Sequence, residues 1–414
     1  MYNNTSLPHT KGVGFTWRSK TEPRAIAQLV ARHVRDVEVG SSSLPSPTKF
    51  HMPQQLPSLF KTQISMHEWF EQIGHEKAQA VRDEDLTRQA RLKQLNEITG
   101  LPYDKPEIFS LHDLLDKTKK FTNFFEQNKN KKCRLRLLPL TDDAQKLRTV
   151  GRTISEAVEW FKEQNIDPDK YKLHFFKFSD ETYWSTIFIV NNNGIFGEII
   201  WGGHSQLTQG FHENKPITFS FDFNSWKLSR NNSNALEHLK SIVKHLFISD
   251  KSLQQKLERK LGVTFAKNYL KGYFETVLAD NVPLQFLDYN RVLGEIYKDF
   301  TINPIHTDQT KLTGQTGSPG IVTGKVRIVK PEQISHTNLN PDEILVCDMT
   351  SPDYVPLMRQ AAGIITDCGG ILSHAAIVSR ELGKPCIVGV GNAVKMLEDG
   401  QKVKMDADKG IINQ

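Results

Sequence analysis

The sequence predicts a multidomain protein of mixed α/β and α+β class that ends in a small β/β/α domain. At 414 residues the chain is longer than one hydrophobic core usually serves, so about two or three domains are expected. Strand-like and helix-like segments alternate through its middle, and near the C-terminus a Gly-Gly turn joins an apolar strand to a short helix. This order is typical of a mixed body followed by a separate C-terminal domain.

Composition limits the class of protein. Charged residues make up 24% and hydrophobic residues 38% of the chain, which is ordinary for a soluble globular protein. No apolar run approaches the ~18 residues that cross a bilayer, and the N-terminus lacks the build of a secretory signal. The net charge of +6 is mild, and no aromatic residues interleave the basic run at 128–134. We therefore expect a cytoplasmic protein that binds neither nucleic acid nor membrane.

The cysteines fit the same compartment. They show no paired spacing typical of metal ligands and stand at Cys133, Cys347, Cys368 and Cys386. Three of them fall in strands or beside the glycine turn, where a free cysteine acts as a small apolar residue. A reducing environment is therefore expected.

Three segments organise the chain. A body is predicted over 1–300, with a loop rich in Ser and Pro near 39–58. A polar stretch over 301–317 contains Pro304, Gly314 and Gly317, and we expect it to act as a hinge. The C-terminal domain is expected over 318–414.

The body contains both kinds of periodicity. An amphipathic helix is predicted over 153–161 and a long helical region over 235–261. Runs of apolar and β-branched residues predict strands over 172–178, 185–190 and 197–201, with a turn at 191–194 joining the last two.

The most informative segment lies near the C-terminus. A buried strand is predicted over 363–366, and after the glycine turn a helix begins at Ser373 and stops at Gly383. The helix N-terminus places partial positive charge beside His374, which keeps the imidazole neutral and nucleophilic. The same backbone N–H groups would bind a phosphoryl group on that ring. We predict that His374 accepts and passes on phosphate; the alternative is an ordinary capping or surface histidine.

Residues Thr366 to Gly383 resemble the swivelling phosphohistidine domain of the phosphoenolpyruvate-utilising enzymes, which include pyruvate phosphate dikinase, phosphoenolpyruvate synthase and rifampin phosphotransferase. The likeness extends over about a hundred residues and includes the segments 318–326, 343–354, 385–389 and 406–410. The resemblance implies that His374 is the catalytic residue. It also implies that the phosphate is supported by Thr366, Gly369, Gly370, Ser373 and Arg380.

Parts of the body are similar to the ATP-grasp region that precedes this domain in those enzymes, in diverged form. The segments concerned are 15–21, 134–137 and 198–210. The resemblance implies ATP and Mg²⁺ as cofactors. It implies nucleotide contacts from Lys20, Arg134, Arg136, Gly202 and Gly203, and metal ligands from Glu198, Asp288 and Glu295. The sequence departs from the family pattern at 137–143, which lacks its Arg-Ser-Ser and Glu-Asp residues, and at Gln285, where a carboxylate is expected. Surface charges and a plain glycine turn are the alternative interpretation of these residues.

Three functions follow from this resemblance. The first is a phosphotransferase loaded from ATP, or from phosphoenolpyruvate, through phosphohistidine at His374. The second is a phosphocarrier subunit that works with a partner chain, and the third is a non-catalytic regulatory protein that keeps the fold. The sequence shows no separate acceptor domain of the kind those enzymes carry, so we expect the acceptor to be a small molecule bound at the body or another protein.

Overall fold

The architecture is that of a computed structural model, which describes residues 69–71, 73–141, 147–164, 166–209, 214–302 and 312–414, together with the backbone of a short strand β1, Thr48–Lys49. All of these residues belong to one compact unit, Pro47–Gln414. Lys20, the segment 15–21 and most of the predicted loop near 39–58 lie outside the described residues. None of the helices within the described ranges is long and apolar enough to cross a membrane.

A four-stranded antiparallel sheet forms the first layer, in the order β2-β5-β3-β4. Its strands are β2 (Glu107–Ser110), β3 (Lys132–Pro139), β4 (Leu147–Thr153) and β5 (Tyr171–Lys177), and its helices are α2 (Leu111–Leu115), α3 (Lys119–Asn128) and α4 (Ile154–Lys162). In β3, Cys133, Leu135 and Leu137 are buried against these helices, whereas Arg134 and Arg136 point to the other face. This sheet therefore has one apolar face and one basic face.

A seven-stranded antiparallel sheet forms the centre of the body, in the order β13-β12-β6-β7-β8-β9 with β1 paired to β6. Its longer strands are β6 (Glu181–Asn191), β7 (Gly194–Trp201), β8 (Ile217–Phe221), β9 (Trp226–Leu228), β12 (Gly272–Ala279) and β13 (Val282–Asn290). A small hairpin pairs β10 (Phe265–Ala266) with β11 (Tyr269–Leu270). The helices are α1 (Ala78–Thr99), α5 (His204–Gln209), α6 (Ser233–Lys244), α7 (Lys251–Leu261) and α8 (Arg291–Ile296).

The C-terminal part is built on an eight-stranded mixed sheet, in the order β14-β21-β20-β16-β17-β18-β19-β15. The strands are β14 (Leu312–Thr313), β15 (Gln315–Ser318), β16 (Ile321–Ile328), β17 (Glu343–Cys347), β18 (Gly363–Thr366), β19 (Cys386–Val388), β20 (Lys402–Asp406) and β21 (Ile411–Asn413). The helices are α9 (Val355–Gln360), α10 (His374–Glu381) and α11 (Ala393–Met396). Strands β16 to β19 pair in parallel, so the turn after β18 and the start of α10 lie at the carboxyl edge of the sheet.

One apolar core continues across the body and the C-terminal sheet. On the body side it contains Trp69, Ile187, Ile200 and Tyr273, and on the other side α10 contributes Ala376 and its neighbours. Because buried apolar area is the main stabilising contribution in a protein, this shared core holds the two parts together. The described structure is thus a docked arrangement of the C-terminal domain on the body.

The secondary structure predicted from the sequence is confirmed in its main elements. Helix α4, strands β5 to β7 and the strand–turn–helix around α10 all form within a few residues of the predicted bounds. The long helical region over 235–261 is two helices, α6 and α7, because Asp250 caps the start of the second.

The C-terminal end of the predicted hinge needs correction. Residues 312–318 form β14 and β15 of the eight-stranded sheet. Gly314 lies between these two strands, and a Cβ atom there would lie 2.6 Å from the Val388 carbonyl oxygen, so this glycine permits close packing against β19. Residues 303–311 lie outside the described residues, and the division into domains stays a prediction.

Candidate functional site

The turn after β18 is shaped to expose the start of helix α10. Gly369 has a φ angle of +112°, a conformation that residues with a Cβ atom rarely adopt. The hydroxyl of Thr366 donates a hydrogen bond to the carbonyl of Cys368, 2.6 Å away, which braces the turn. Ser373 is the N-cap, and its hydroxyl accepts a hydrogen bond from the Ala376 N–H group. His374 is therefore the first residue of the helix, as the sequence predicts.

The imidazole of His374 is neutral in this setting. It is partly buried, and its ring stacks on Trp69 with the ring centres 4.9 Å apart and an angle of 21° between the planes. Burial lowers the pKa of His374 to about 4, because an imidazolium would lose its hydration there. A neutral ring keeps a lone pair available for attack on phosphorus at physiological pH.

The carboxylate of Glu198, on β7 of the body, lies in the glycine turn. Its Oε2 atom accepts a hydrogen bond from the Ile371 N–H group at 3.0 Å. Gly370 packs against it so closely that a Cβ atom would lie 2.0 Å from that oxygen. The residue is 2% exposed, and burial raises its pKa to about 7, although the Ile371 N–H group, Gln315 and Arg380 act in the opposite direction. The body thus contacts the predicted phosphohistidine turn through a buried carboxyl group.

Glu198 begins a row of residues across the central sheet. In the strand register Glu198 pairs with Ile187, Ile187 pairs with Glu275, and Glu275 pairs with Asp288. Directly paired residues share a face of a sheet, so the three carboxylates lie on the same side. Three steps of about 4.8 Å span roughly 14 Å between the outer strands. The row runs from Glu198 beside the glycine turn to Asp288 on the edge strand β13.

Glu275 and Asp288 each have a side-chain partner. His204 bonds Glu275 at 2.8 Å and Arg88 bonds Asp288 at 3.3 Å. Burial raises the pKa of Asp288, Arg88 opposes the rise, and the neighbouring Glu275 adds to it. The Oδ1 atom of Asp288 is buried and has no hydrogen-bond partner among the described residues. Of the four carboxylate oxygens of this pair, it is the one that stays available to a ligand within that part of the chain.

A cluster of arginines stands beside Asp288. Arg136, on the basic face of β3, has no ion pair within the described ranges, and its guanidinium lies 5.2 Å from the centre of the Phe176 ring. Burial, Arg88 and Arg134 together lower the pKa of Arg136 to about 9, because all three disfavour its charged form. Arg134 itself pairs with Asp104 at 2.5 Å. A half-buried cation with no ion pair among the described residues is one that a bound phosphate would stabilise.

Other predicted site residues have different surroundings. Gly202 and Gly203 form the turn between β7 and α5, and the Gly202 carbonyl accepts a hydrogen bond from Ser185 at 2.8 Å. The Arg380 guanidinium lies 4.5 Å from the centre of the Phe300 ring and 5.4 Å from that of Tyr297, so it contacts the end of the body. These contacts do not test whether the residues bind a ligand, and their roles stay predictions.

The predicted set of metal ligands is not brought together. Glu295 is exposed on α8 and pairs with Lys298, whereas Glu198 and Asp288 are buried at opposite ends of the row. Across the part of the chain that the structure describes, no three His, Cys, Asp or Glu residues form a group that could hold a metal ion. The sequence could not show that these carboxylates lie apart, because their distances depend on how the strands and helix α8 are arranged in the fold.

Sequence reasoning missed several residues of this region: Trp69, Arg88, His204 and Glu275. Glu275 carried a usable signal, since it is a lone carboxylate within the apolar strand β12. Trp69 and Arg88 carried none, because their partners lie about 200 or more positions away in the chain.

Comparison with known proteins confirms the resemblance for the C-terminal domain. Residues 339–410 match the family model of the PEP-utilising enzyme mobile domain. A probable phosphoenolpyruvate synthase of Methanothermobacter thermautotrophicus is 48% identical over 120 residues, which are 29% of this chain and 17% of that protein. An uncharacterised phosphotransferase of Bacillus subtilis, YvkC, is 33% identical over 161 residues, or 39% of this chain and 18% of that protein. The chain thus matches less than a fifth of the length of these two relatives.

Among solved structures, the ATP-grasp ligase PsnB, in complex with a minimal precursor, is similar over 53% of this chain and 56% of its own, with 10% identity and a TM-score of 0.24. A TM-score this low carries no conclusion about the body. A ligand site in the body therefore has to be inferred from its own sheets and side chains.

Proposed function

We propose that this protein is a phosphotransferase in which the body binds ATP and His374 accepts a phosphoryl group before passing it on. One observation carries the proposal. The glycine turn and the arginine cluster lie at the two ends of a single row across the central sheet, from Glu198 to Asp288. This row supports the proposal because His374 and the arginines then lie toward opposite ends of one face of the same sheet, roughly 14 Å apart.

The basic face of the four-stranded sheet would hold the phosphates. Arg136 supplies a half-buried positive charge without a carboxylate of its own among the described residues, and Arg88 and Arg134 are near it. His174, its cross-strand neighbour, has its pKa lowered to about 4 by burial, Arg136 and Lys172, so it would act as a neutral hydrogen-bonding group. Transfer of phosphoryl groups depends mostly on positioning and on charge compensation, which such a face provides.

Asp288 would hold Mg²⁺ together with the nucleotide phosphates, and the neighbouring Glu275 would add negative charge beside the ion, since magnesium in such sites often takes only one or two protein carboxylates. The Oδ1 atom of Asp288, which has no partner among the described residues, fits this role. The ion would offset phosphate charge. This pair replaces the set of Glu198, Asp288 and Glu295 that the sequence implies.

His374 would act as the nucleophile. A ring nitrogen would form a bond to phosphorus while the bond from phosphorus to the nucleotide oxygen breaks, and the nucleotide would leave with the electron pair. Trp69, which covers one face of the ring, would orient it and exclude water. A second transfer would move the phosphoryl group from nitrogen to an acceptor, either a small molecule or another protein.

The test is the mass of the intact protein after incubation with ATP and Mg²⁺, recorded at neutral pH. We expect a gain of one phosphoryl group that acid removes and base does not, and that is absent from His374→Ala. Phosphoenolpyruvate is supplied in a parallel sample, because the family resemblance allows it as donor. A stable gain on Ser373, or an unchanged gain in His374→Ala, would refute the proposal.

A phosphocarrier function is the second candidate, and one observation favours it. Within the described ranges each carboxylate of the row already has a side-chain or backbone hydrogen-bond partner, and no three-ligand metal group forms. A carrier would gain phosphate only when a partner protein is added. Phosphorylation of His374 in the presence of cell extract, but not with ATP and Mg²⁺ alone, would support the phosphocarrier function.

A further inference from the structure

The contact between Glu198 and the glycine turn has a consequence for the phosphorylated protein. The Ile371 N–H group precedes the first turn of α10, an eight-residue helix whose N-terminus favours negative charge. In the docked structure the Glu198 carboxylate accepts a hydrogen bond from that N–H group at 3.0 Å. A carboxylate of the body thus occupies a donor that a phosphoryl group on His374 would also attract.

The Glu198 carboxylate is tightly packed against the glycine turn. Gly370 leaves no room even for a methyl group, because a Cβ atom would meet all three carboxyl atoms of Glu198 within 2.8 Å. The second oxygen, Oε1, is buried and has no hydrogen-bond partner within the described part of the chain. Nearby positive charge comes from Arg380, whose guanidinium lies over Phe300 and Tyr297. Glu198 is therefore held in close contact with the glycine turn in the docked structure.

A phosphoryl group changes this balance. It brings a charge of about −1.5 to −2 to the ring of His374, four positions after Gly370 in the chain. The phosphoryl group and the Glu198 carboxyl group would then compete for the N–H groups of one turn. Like charges at short range inside a protein repel strongly. The stacking of the imidazole on Trp69 would be disturbed at the same time.

We infer that Glu198 makes docking of the C-terminal domain depend on the state of His374. Its carboxylate holds the glycine turn while the ring is unphosphorylated, and a phosphoryl group on the ring repels it and releases the domain from the body. This inference rests on the proposed function insofar as His374 carries phosphate, but it does not depend on ATP as the donor. The role inferred for Glu198 is to hold the C-terminal domain against the body.

The experiment loads His374 chemically. Phosphoramidate donates its phosphoryl group to the ring: the new nitrogen–phosphorus bond forms as the phosphorus–nitrogen bond of the reagent breaks, and ammonia leaves. Loading is verified by intact mass at neutral pH. Hydrogen–deuterium exchange of the full chain then reports docking through amides near Ile371 and through body peptides that contain Trp69 and Glu198. His374→Ala treated with the reagent is the control.

Loaded wild-type protein should exchange these amides about 10-fold faster than unloaded protein, because exchange follows local opening. Loaded Glu198→Gln should change less than about 2-fold, since glutamine keeps the acceptor oxygen and removes the charge. An equal acceleration in both proteins, or none in the wild type, would overturn the inference. So would a failure of phosphoramidate to label wild-type His374.

A steric variant provides a second test that does not depend on how Glu198→Gln folds. The backbone of Gly370 does not require glycine, and the contacts that an added methyl group would make are with Glu198. Unloaded Gly370→Ala should therefore already show the fast exchange of the loaded wild type. Adding Glu198→Ala to it should restore most of the protection. Unchanged protection in Gly370→Ala would contradict the inference, whereas absence of ATP-dependent labelling would count only against the proposed function.

Discussion

The body and the C-terminal domain bury different kinds of residues. In the part of the chain that the structure describes, the buried Asp, Glu and Arg side chains all belong to the body: Glu84, Arg91, Asp104, Glu198 and Asp288. The C-terminal sheet encloses aliphatic residues, and its buried polar side chains are hydroxyls such as Thr366 and Ser379. Burying charge is costly unless it is paired, so a protein keeps such groups where they are needed.

This difference suggests a division of labour. The C-terminal domain presents the neutral imidazole of His374, the proposed nucleophile, on an apolar support. The body supplies the positive and negative groups that would hold a charged donor. Variants in the two regions should therefore fail in different ways.

The largest effect is expected in the ion network of the body. Glu84 accepts hydrogen bonds from Arg291 Nε at 2.7 Å and Arg91 Nη1 at 3.0 Å, and these cations lower its pKa although burial acts to raise it. Glu84→Ala leaves Arg91 buried without its anion and should cost about 3–5 kcal/mol of unfolding free energy. Denaturant titration measures this. Glu97→Ala, in an exposed pair on the same helix, should stay within about 0.5 kcal/mol; equal losses would remove the contrast.

A pH-dependent effect is expected at Glu198. Its pKa is raised to about 7 in the folded protein, against 4.5 for an unperturbed carboxyl, so the folded state binds the proton more tightly. The stability due to this group is complete below pH 4.5 and is lost as pH rises to 7. Glu198→Gln should therefore gain up to about 3 kcal/mol relative to wild type between those pH values. Denaturation at pH 4.5, 6 and 8 tests this, and a constant difference would count against it.

Nucleotide binding should depend on the basic face. Arg136→Met should weaken binding of ATP with Mg²⁺ about 10- to 100-fold, because charged hydrogen bonds are each worth about 1.5–3 kcal/mol. Without ligand, the melting temperature of Arg136→Met should be unchanged or higher than that of wild type, since the change removes a half-buried cation that has no carboxylate partner among the described residues. The measurement is the thermal shift with ATP, with Arg152→Met at an exposed position of β4 as control. An equal ATP-dependent thermal shift in both variants would show that Arg136 does not contribute to nucleotide binding.

The smallest effect is expected at the contact between Arg380 and the end of the body. Arg380→Met keeps the length of the side chain but loses the cation–π contacts with Phe300 and Tyr297, worth about 1 kcal/mol. Hydrogen exchange at the docked face should rise about 5-fold while the C-terminal sheet stays protected. Faster exchange throughout that sheet would show that Arg380 supports the domain itself.

The two regions also differ in how far the sequence predicts them. The strand, the glycine turn and the helix at His374 follow from local signals, because a cap, two glycines and an apolar run specify them within about twenty positions. The charge pattern of the body does not, because Glu198, Glu275 and Asp288 fall on one row of the sheet only through the register of β6, β7, β12 and β13. Docking of Trp69 on His374 joins positions that are about 300 apart and leaves no local trace.

The proposed reaction requires that ATP bound at the arginine-bearing face of the body donates a phosphoryl group to His374. The most direct measurement compares two phosphoryl donors, ATP with Mg²⁺ and phosphoramidate, on three proteins, with acid-labile label followed by intact mass. Wild type should be labelled by both donors, Arg136→Met by phosphoramidate alone, and His374→Ala by neither. Labelling of Arg136→Met from ATP at the wild-type rate, or label that remains in His374→Ala, would contradict the claim.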